Sequence, residues 1–253
     1  MSDFDRNVAS ARPYGADRAV AIDAGLRAYM ISVYNYMALG VALTGLAAWI
    51  TFQMAVVTND VGTITGLTAF GQAIFNSPLK WVVALSPLAI VLVMSFGIQR
   101  LNVPTAQLLF WVFATLMGLS LGVIFMVFTH TSIARVFFIT AASFGALSLY
   151  GYTTRRDLSA MGAFLFMGLI GLILAMIVNL FLASSAMAFV ISVVGVLVFA
   201  GLTAYDTQRI KEMYDVNDDG TVAGRKAIMG ALNLYLDFIN IFVFLLQLIG
   251  DRR

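Results

Sequence analysis

Two carboxylates interrupt long apolar stretches of this 253-residue chain. Asp206 follows the apolar run 186–205, and Asp237 lies inside the run 227–250. An ionisable group within a membrane-spanning segment is costly and commonly marks a functional site. The two residues lie at equal distances on either side of residues 221–222, so an antiparallel helical hairpin turning there would place both carboxylates at one level. Two acids in a medium of low dielectric cannot both ionise easily. The spacing therefore predicts a proton-sharing, pH-sensitive pair.

The composition predicts that the chain lies in a lipid bilayer. Hydrophobic residues make up 61% of the chain and charged residues only 11%, which is unlike an ordinary soluble domain. A spanning helix needs about 20 mainly apolar residues. Polar and small-residue clusters, including the tract 183–186, divide the chain into seven such intervals. They are residues 29–53, 80–99, 104–128, 134–153, 158–182, 186–205 and 227–250. We therefore expect an all-α membrane protein with seven transmembrane helices.

The distribution of charge predicts an orientation and two regions. Residues 1–27 carry four Arg and four Asp. We interpret them as a cytosolic tail with an interfacial helix from Arg18. Residues 28–253 are then expected to form the seven-helix transmembrane domain. A cytosolic amino terminus places eleven Lys and Arg residues on the cytosolic side and four on the other, as the positive-inside rule requires. The carboxyl terminus is then external, unless the polar last span fails to cross. The loop 54–79 is either exposed or partly re-entrant.

Further polar residues lie on the same helical face as Asp237. Together with Asp237, the residues Asn233, Asn240 and Gln247 are separated by four, three and seven positions along the chain. One face of a helix can carry residues with this spacing. Asparagine often forms hydrogen bonds between membrane helices, so these side chains either join helices, or Asn233 and Asn240 line an ion pathway together with Tyr205. Arg100, at the end of the second span, either pairs with Asp206 or anchors the helix at the lipid headgroups.

Several other chemistries are disfavoured by the sequence. Nucleic acid is an unexpected partner, because the basic residues lie at segment ends and not on one face with exposed aromatics. Cysteine is absent, and His130 is the only histidine, so a Ser-His hydrolase or a His-based metal site is not supported. An intramembrane aspartyl protease would have glycines before its second aspartate, where residues 234–236 read Leu-Tyr-Leu. Residues 215–220 open like an EF-hand, but Lys226 occupies the twelfth position, which favours a solvated acidic turn.

Two separate motifs resemble those of the Bax inhibitor-1 family. They are Ser-Leu-Tyr-Gly-Tyr-Thr-Thr-Arg-Arg-Asp-Leu-Ser at residues 148–159 and Ala-Tyr-Asp-Thr-Gln at residues 204–208. The resemblance implies two three-helix layers around a central last helix. For bacterial members it also implies a pH-sensitive calcium leak governed by an aspartate pair, which matches Asp206 and Asp237, with Arg100 at the position of an arginine that bonds the first aspartate in the closed form.

The function expected from both lines of reasoning is a pH-sensitive calcium or cation leak in a bacterial inner membrane. Asp206 and Asp237 would coordinate Ca²⁺ only transiently, because a tight site needs six to eight oxygens; no resident cofactor and no enzymatic activity are expected. The alternative is a non-conducting regulator that binds a membrane protease or a cell-death or stress-response protein.

Overall fold

Seven long apolar helices build the protein, as the sequence predicts. A computed structural model describes residues 14–59 and 63–253, with the side chains of residues 24–59 and 63–253. The helices long and apolar enough to cross a membrane number seven in these ranges. The elements in chain order are α1 (Tyr14–Ala55), β1 (Val56–Thr58), β2 (Ile64–Leu67), α2 (Ala69–Gly71), a π-helical turn (Gln72–Asn76), α3 (Leu79–Gly97), α4 (Val103–Leu121), α5 (Ile124–Val127), α6 (His130–Thr153), α7 (Ser159–Leu182), α8 (Ser185–Glu212) and α9 (Gly220–Ile249).

Short capped turns join the spanning helices. Asn102 and Thr129 accept hydrogen bonds from the first turns of α4 and α6, which satisfies amide groups that the helix leaves unpaired. The small polar tract predicted to separate two spans does so: Ala183 adopts φ 48° and ends α7, and Ser184 caps α8. A left-handed residue is a common way to end a helix. Two spans therefore occupy the long uncharged stretch.

The spanning helices form two groups of three around α9. Helices α1 and α3 pack against α4, helices α6 and α7 pack against α8, and α9 contacts α1, α4, α6 and α8. Helix α9 is the most buried of the seven. Its Tyr235 is fully buried, and the Tyr235 hydroxyl lies 2.6 Å from the Thr44 hydroxyl of α1. The expected arrangement of two three-helix layers around a central last helix is confirmed.

Helix α9 runs the whole length of this body. Near its start, the Arg225 guanidinium donates a hydrogen bond to the Gln99 carbonyl in the α3–α4 turn at 2.6 Å. Beyond its end, the Arg253 amide donates to the Val127 carbonyl of α5 at 3.0 Å. Helix α9 therefore reaches from one end of the helical body to the other and has the length that a full crossing needs. We call the end with the α3–α4, α6–α7 and α8–α9 turns the basic end, and the opposite one the carboxyl end.

Three details differ from the sequence-based expectations. Helix α1 is continuous from Tyr14 and passes through the predicted tail boundary at residue 27; residues 1–13 of that tail lie outside the described part of the chain. The loop 54–79 contains an antiparallel hairpin of β1 and β2, which its Val, Thr and Ile residues favour. The last turn comprises residues 213–219, so Thr221 and Val222 belong to α9 and not to the turn.

Candidate functional site: an aspartate pair between the last two helices

The register of α8 against α9 places the two aspartates side by side. A Cβ atom built on Gly230 would lie 3.0 Å from Ile210, and one on Gly195 would lie 2.6 Å from the Phe244 ring. The Ser192 hydroxyl donates to Gln247 at 3.2 Å. Residue numbers rise along one helix as they fall along the other, as antiparallel packing requires. Asp206 and Asp237 therefore lie at the same depth, as predicted. This holds although the turn lies earlier in the chain than expected, because the first turns of α9 extend past the end of α8.

The Asp206 and Asp237 carboxyl groups lie within hydrogen-bonding range of each other. Asp237 is only 3% exposed, whereas Asp206 is partly buried. Apart from its neighbouring carboxyl, Asp237 Oδ2 has no hydrogen-bond partner among the described residues. An ionised carboxylate only accepts hydrogen bonds, so the two groups can bond only when one of them carries a proton.

The pair lies at the wall of a pocket of about 490 Å³ between α7, α8 and α9. Tyr205 and Asn233, both predicted to accompany the pair, line this pocket. Asn240 does not; its side-chain amide donates to the Leu236 carbonyl of its own helix at 2.8 Å. Ser159 and Arg209 lie at the mouth of the pocket, at the basic end. The structure thus brings four of the predicted residues, the two aspartates with Tyr205 and Asn233, to one site and leaves Asn240 beside it.

Arg209 is the basic residue that lines the pocket together with Asp206. It lies one turn further along α8, and the salt bridges found among the described residues do not join its guanidinium to Asp206. Arg100 lies in the exposed α3–α4 turn, and the salt bridges found among the described residues do not include one between Arg100 and Asp206. The structure therefore does not unite Arg100 with the pair, and the role suggested for it stays a prediction.

The two sequence motifs contact each other and fix the position of Asp206. Gln208 accepts a hydrogen bond from the Leu158 amide at 2.9 Å and donates one to the Arg156 carbonyl at 2.8 Å. The Thr207 hydroxyl lies 2.9 Å from the Ser148 hydroxyl. The two residues directly after the aspartate are thus bonded to α6 and to the α6–α7 turn. Sequence reasoning missed this role of Gln208, although the side chain stands within a recognised motif.

Close helix packing beside the pair depends on two glycines. A Cβ atom on Gly151 would lie 2.2 Å from the Ala204 carbonyl oxygen, and one on Gly162 would lie 2.4 Å from the Tyr205 ring. Real Cβ atoms do not approach other heavy atoms so closely. Gly151 therefore allows α6 to touch the backbone of α8, and Gly162 leaves the space that the Tyr205 ring fills.

The acidic turn before α9 has structural partners. Asp219 caps α9 by accepting from the Val222 amide at 2.7 Å, and Asp218 pairs with Lys226 at 2.5 Å. Asp215 accepts from the Asn217 amide at 2.9 Å, and this bond lowers the pKa of Asp215. Within the described residues, no group of three or more His, Asp or Glu side chains is placed to hold a metal ion. The contacts of this turn are those of a helix cap.

A second polar pocket lies on the same seam at the carboxyl end. Its volume is about 610 Å³, and Ser184, Ser192, Gln247 and Arg252 are among the residues that line it. Between this pocket and the aspartate pocket, the Phe199 and Phe244 rings stack with their centres 6.0 Å apart. Both rings are buried. The aromatic pair thus separates two polar cavities along the α8–α9 seam.

Comparison with known proteins identifies the family. The family model described as Inhibitor of apoptosis-promoting Bax1 matches residues 26–253. A protein of Rickettsia prowazekii is 48% identical, over 91% of this chain and 92% of its own length. The inner membrane protein YbhL of Escherichia coli K12 is 44% identical, over 94% of this chain and 97% of its own. A protein of Caulobacter vibrioides is 44% identical over the full length of both chains. With seven apolar helices arranged around α9, the chain is an integral membrane protein that belongs to the Bax inhibitor-1 family.

Proposed function

We propose that this protein is a pH-sensitive leak for cations, with calcium as the cation, in a bacterial inner membrane. The observation that carries the proposal is the buried Asp237 carboxyl, which meets Asp206 at the wall of a pocket open at the basic end. A cation entering from this end meets carboxylate oxygens, the Asn233 amide and the Tyr205 hydroxyl. The set is smaller than the six to eight oxygens of a tight calcium site. Weak binding suits passage, because conduction requires that the ion also leave.

The shared proton is the proposed pH sensor. While one carboxyl donates to the other, the pair carries a single negative charge and joins α8 to α9. Loss of that proton leaves two carboxylates that repel each other in a poorly solvated site. Because Gln208 and Thr207 hold the neighbouring backbone to α6, the repulsion acts on the α8–α9 contact and not on the fold as a whole. The protonation state of the pair thereby changes the contact along the seam.

The pathway continues along the α8–α9 seam to the polar pocket at the carboxyl end. In this proposal the stacked and buried Phe199 and Phe244 rings are its barrier, because a hydrophobic constriction prevents ion passage by excluding water. The positive-inside distribution of Lys and Arg orients the basic end, and with it the mouth of the aspartate pocket, toward the cytosol.

The same geometry disfavours proteolysis. An aspartyl protease would present backbone to its substrate directly before the second aspartate. Here that residue is Leu236, whose leucine side chain lines the pocket where a glycine would expose backbone. The two residues before it, Leu234 and Tyr235, are fully buried, and the Tyr235 hydroxyl bonds to Thr44 on the side of α9 that faces α1. Leu234 and Tyr235 lie away from the aspartate pocket.

Calcium entry into proteoliposomes across a pH series tests the proposal. The native chain is compared with Asp206→Asn and Asp237→Asn, and with Asp251→Asn as a control, since Asp251 pairs with Arg135 on an exposed surface at the carboxyl end. We expect native flux to change with pH, the two pocket variants to lose most of that change, and the control to keep it. Equal pH profiles in all four proteins would refute the sensor. Flux no greater than in empty vesicles, in every variant, would favour the non-conducting regulator.

A further inference from the structure

A second crevice lies at the basic end, between α1 and α6, on the opposite side of α8 from the aspartate pocket. These two helices belong to different three-helix groups, and the space between them has a volume of about 500 Å³. Such a volume lies within the range of about 300–1,000 Å³ found for ligand pockets. Arg27, Ile31 and Tyr34 of α1 and Gly145, Leu149 and Tyr152 of α6 are among the residues that line it.

The mouth of this crevice is positively charged. Arg27 is exposed at its upper edge on α1. From α8, the Lys211 ammonium donates to the Tyr152 carbonyl at 2.8 Å and lies 5.0 Å from the centre of the Tyr152 ring. The described residues that line the crevice include neither Asp nor Glu. Arg27 therefore favours an anionic group at the mouth, with the Lys211 charge nearby on α8, and guanidinium groups bind phosphate well.

Below the mouth the crevice is apolar. Ile31 and Leu149 are 49% and 63% exposed, and a Cβ atom built on Gly145 would meet no other atom within 4 Å. The hydroxyl groups at the floor satisfy each other, because Tyr34 and Ser148 lie 2.5 Å apart and Ser148 also bonds Thr207. A ligand in the lower part of the crevice would thus find an open hydrocarbon surface without free polar groups.

We propose that this crevice binds an anionic phospholipid, with the phosphate at Arg27 and one acyl chain between Ile31 and Leu149. A phospholipid joins a phosphate to a hydrocarbon chain in the order that the crevice presents, and the site lies on the circumference of a membrane-spanning body. Basic residues near a membrane surface attract anionic lipid. A free phosphate ion would use only the mouth. This proposal is independent of ion conduction.

Photolabelling of the purified full-length protein in mixed bilayers tests the site. The probe is phosphatidylglycerol with a photoreactive group on one acyl chain, and phosphatidylcholine with the same chain is the zwitterionic comparison. Gly145→Leu fills the crevice; Gly171→Leu is its control, because Gly171 also faces open space but lies on α7. Arg27→Gln removes the mouth cation; Arg155→Gln removes a different exposed arginine of the basic end.

We expect labelled peptides from α1 and α6 around Ile31 and Leu149. Labelling by phosphatidylglycerol should fall several-fold in Gly145→Leu and in Arg27→Gln, and should persist in both controls. Phosphatidylcholine should label the native crevice less and should be insensitive to Arg27→Gln. Labels spread evenly over the outer helices, or unaffected by Gly145→Leu, would overturn the proposal. Displacement of the lipid by inorganic phosphate at a concentration no higher than that of the lipid would also overturn it, since the acyl chain would then add nothing to the affinity.

Discussion

Gln208 is the residue whose side chain connects the aspartate site to the surrounding fold. Its amide satisfies both the Leu158 amide and the Arg156 carbonyl at the α6–α7 turn, and Leu158 itself is buried. A buried amide left without a partner costs about 1–3 kcal/mol. Gln208 therefore contributes to stability as well as to the position of Asp206, two residues earlier.

Gln208→Leu should lower the thermal unfolding temperature of the purified protein in detergent. Leucine is similar in size but can neither accept from Leu158 nor donate to Arg156, so the expected loss of unfolding free energy is about 1–3 kcal/mol. Gln53→Leu is the matched control, because Gln53 is exposed near the end of α1 and such positions tolerate substitution. Equal unfolding temperatures for the two variants would contradict the role assigned to Gln208.

For single residues, the sequence predicted that Asp206 and Asp237 lie together, but it did not predict that Arg209 lines the same pocket. The matched depth of Asp206 and Asp237 was predicted from their equal spacing about residues 221–222. The turn lies at residues 213–219 instead, and the depth is matched because the first turns of α9 extend past the end of α8. Arg209 stands three residues after Asp206 and is visible in the sequence, but its position on the pocket side depends on which face α8 turns toward α7. Arg100 was expected from family position, whereas its side chain lies in an exposed turn.

Among the elements, the contact between α6 and α8 holds the part of α8 that carries Asp206. Gly151 touches the Ala204 backbone, and this closeness allows the hydroxyls of Ser148 and Thr207 to meet at 2.9 Å. Small residues at a membrane-helix interface commonly permit such approach. The seven spans were predictable from hydropathy, but this pairing was not, because hydropathy does not specify which helices are neighbours.

Gly151→Ala should separate α6 from α8 and destabilise the protein. The new methyl would lie 2.2 Å from a backbone oxygen that cannot rotate away, and overpacking of this kind costs about 1–3 kcal/mol. Gly171→Ala on α7 faces open space, so better helix propensity should leave stability unchanged or raise it by up to about 1 kcal/mol. Thermal unfolding of both variants beside the native chain provides the measurement. Parallel effects would show that the close α6–α8 approach contributes nothing.

Across the whole molecule, the α8–α9 seam joins a polar pocket at each end through one aromatic contact. The family resemblance predicted a central last helix, and the arrangement of two groups around α9 confirms it. The second pocket and the Phe199–Phe244 stack could not be foreseen, because aromatic residues occur throughout the chain and only the packing of α8 on α9 brings these two together. Their position between the pockets makes them the barrier in the proposed pathway.

Phe244→Ala should therefore raise cation flux over the whole pH range. Loss of the ring leaves Phe199 without its stacking partner and opens space over Gly195, which the Phe244 ring now fills. Truncating a buried phenylalanine costs about 3–5 kcal/mol of stability, so the control must carry the same cost. Phe242→Ala is that control, because Phe242 is similarly buried on α9 but packs toward α6 near Phe137.

Calcium entry into proteoliposomes should increase in Phe244→Ala and not in Phe242→Ala. A similar increase in both would assign the leak to general loosening of the fold, and no increase in either would remove the aromatic pair from the pathway.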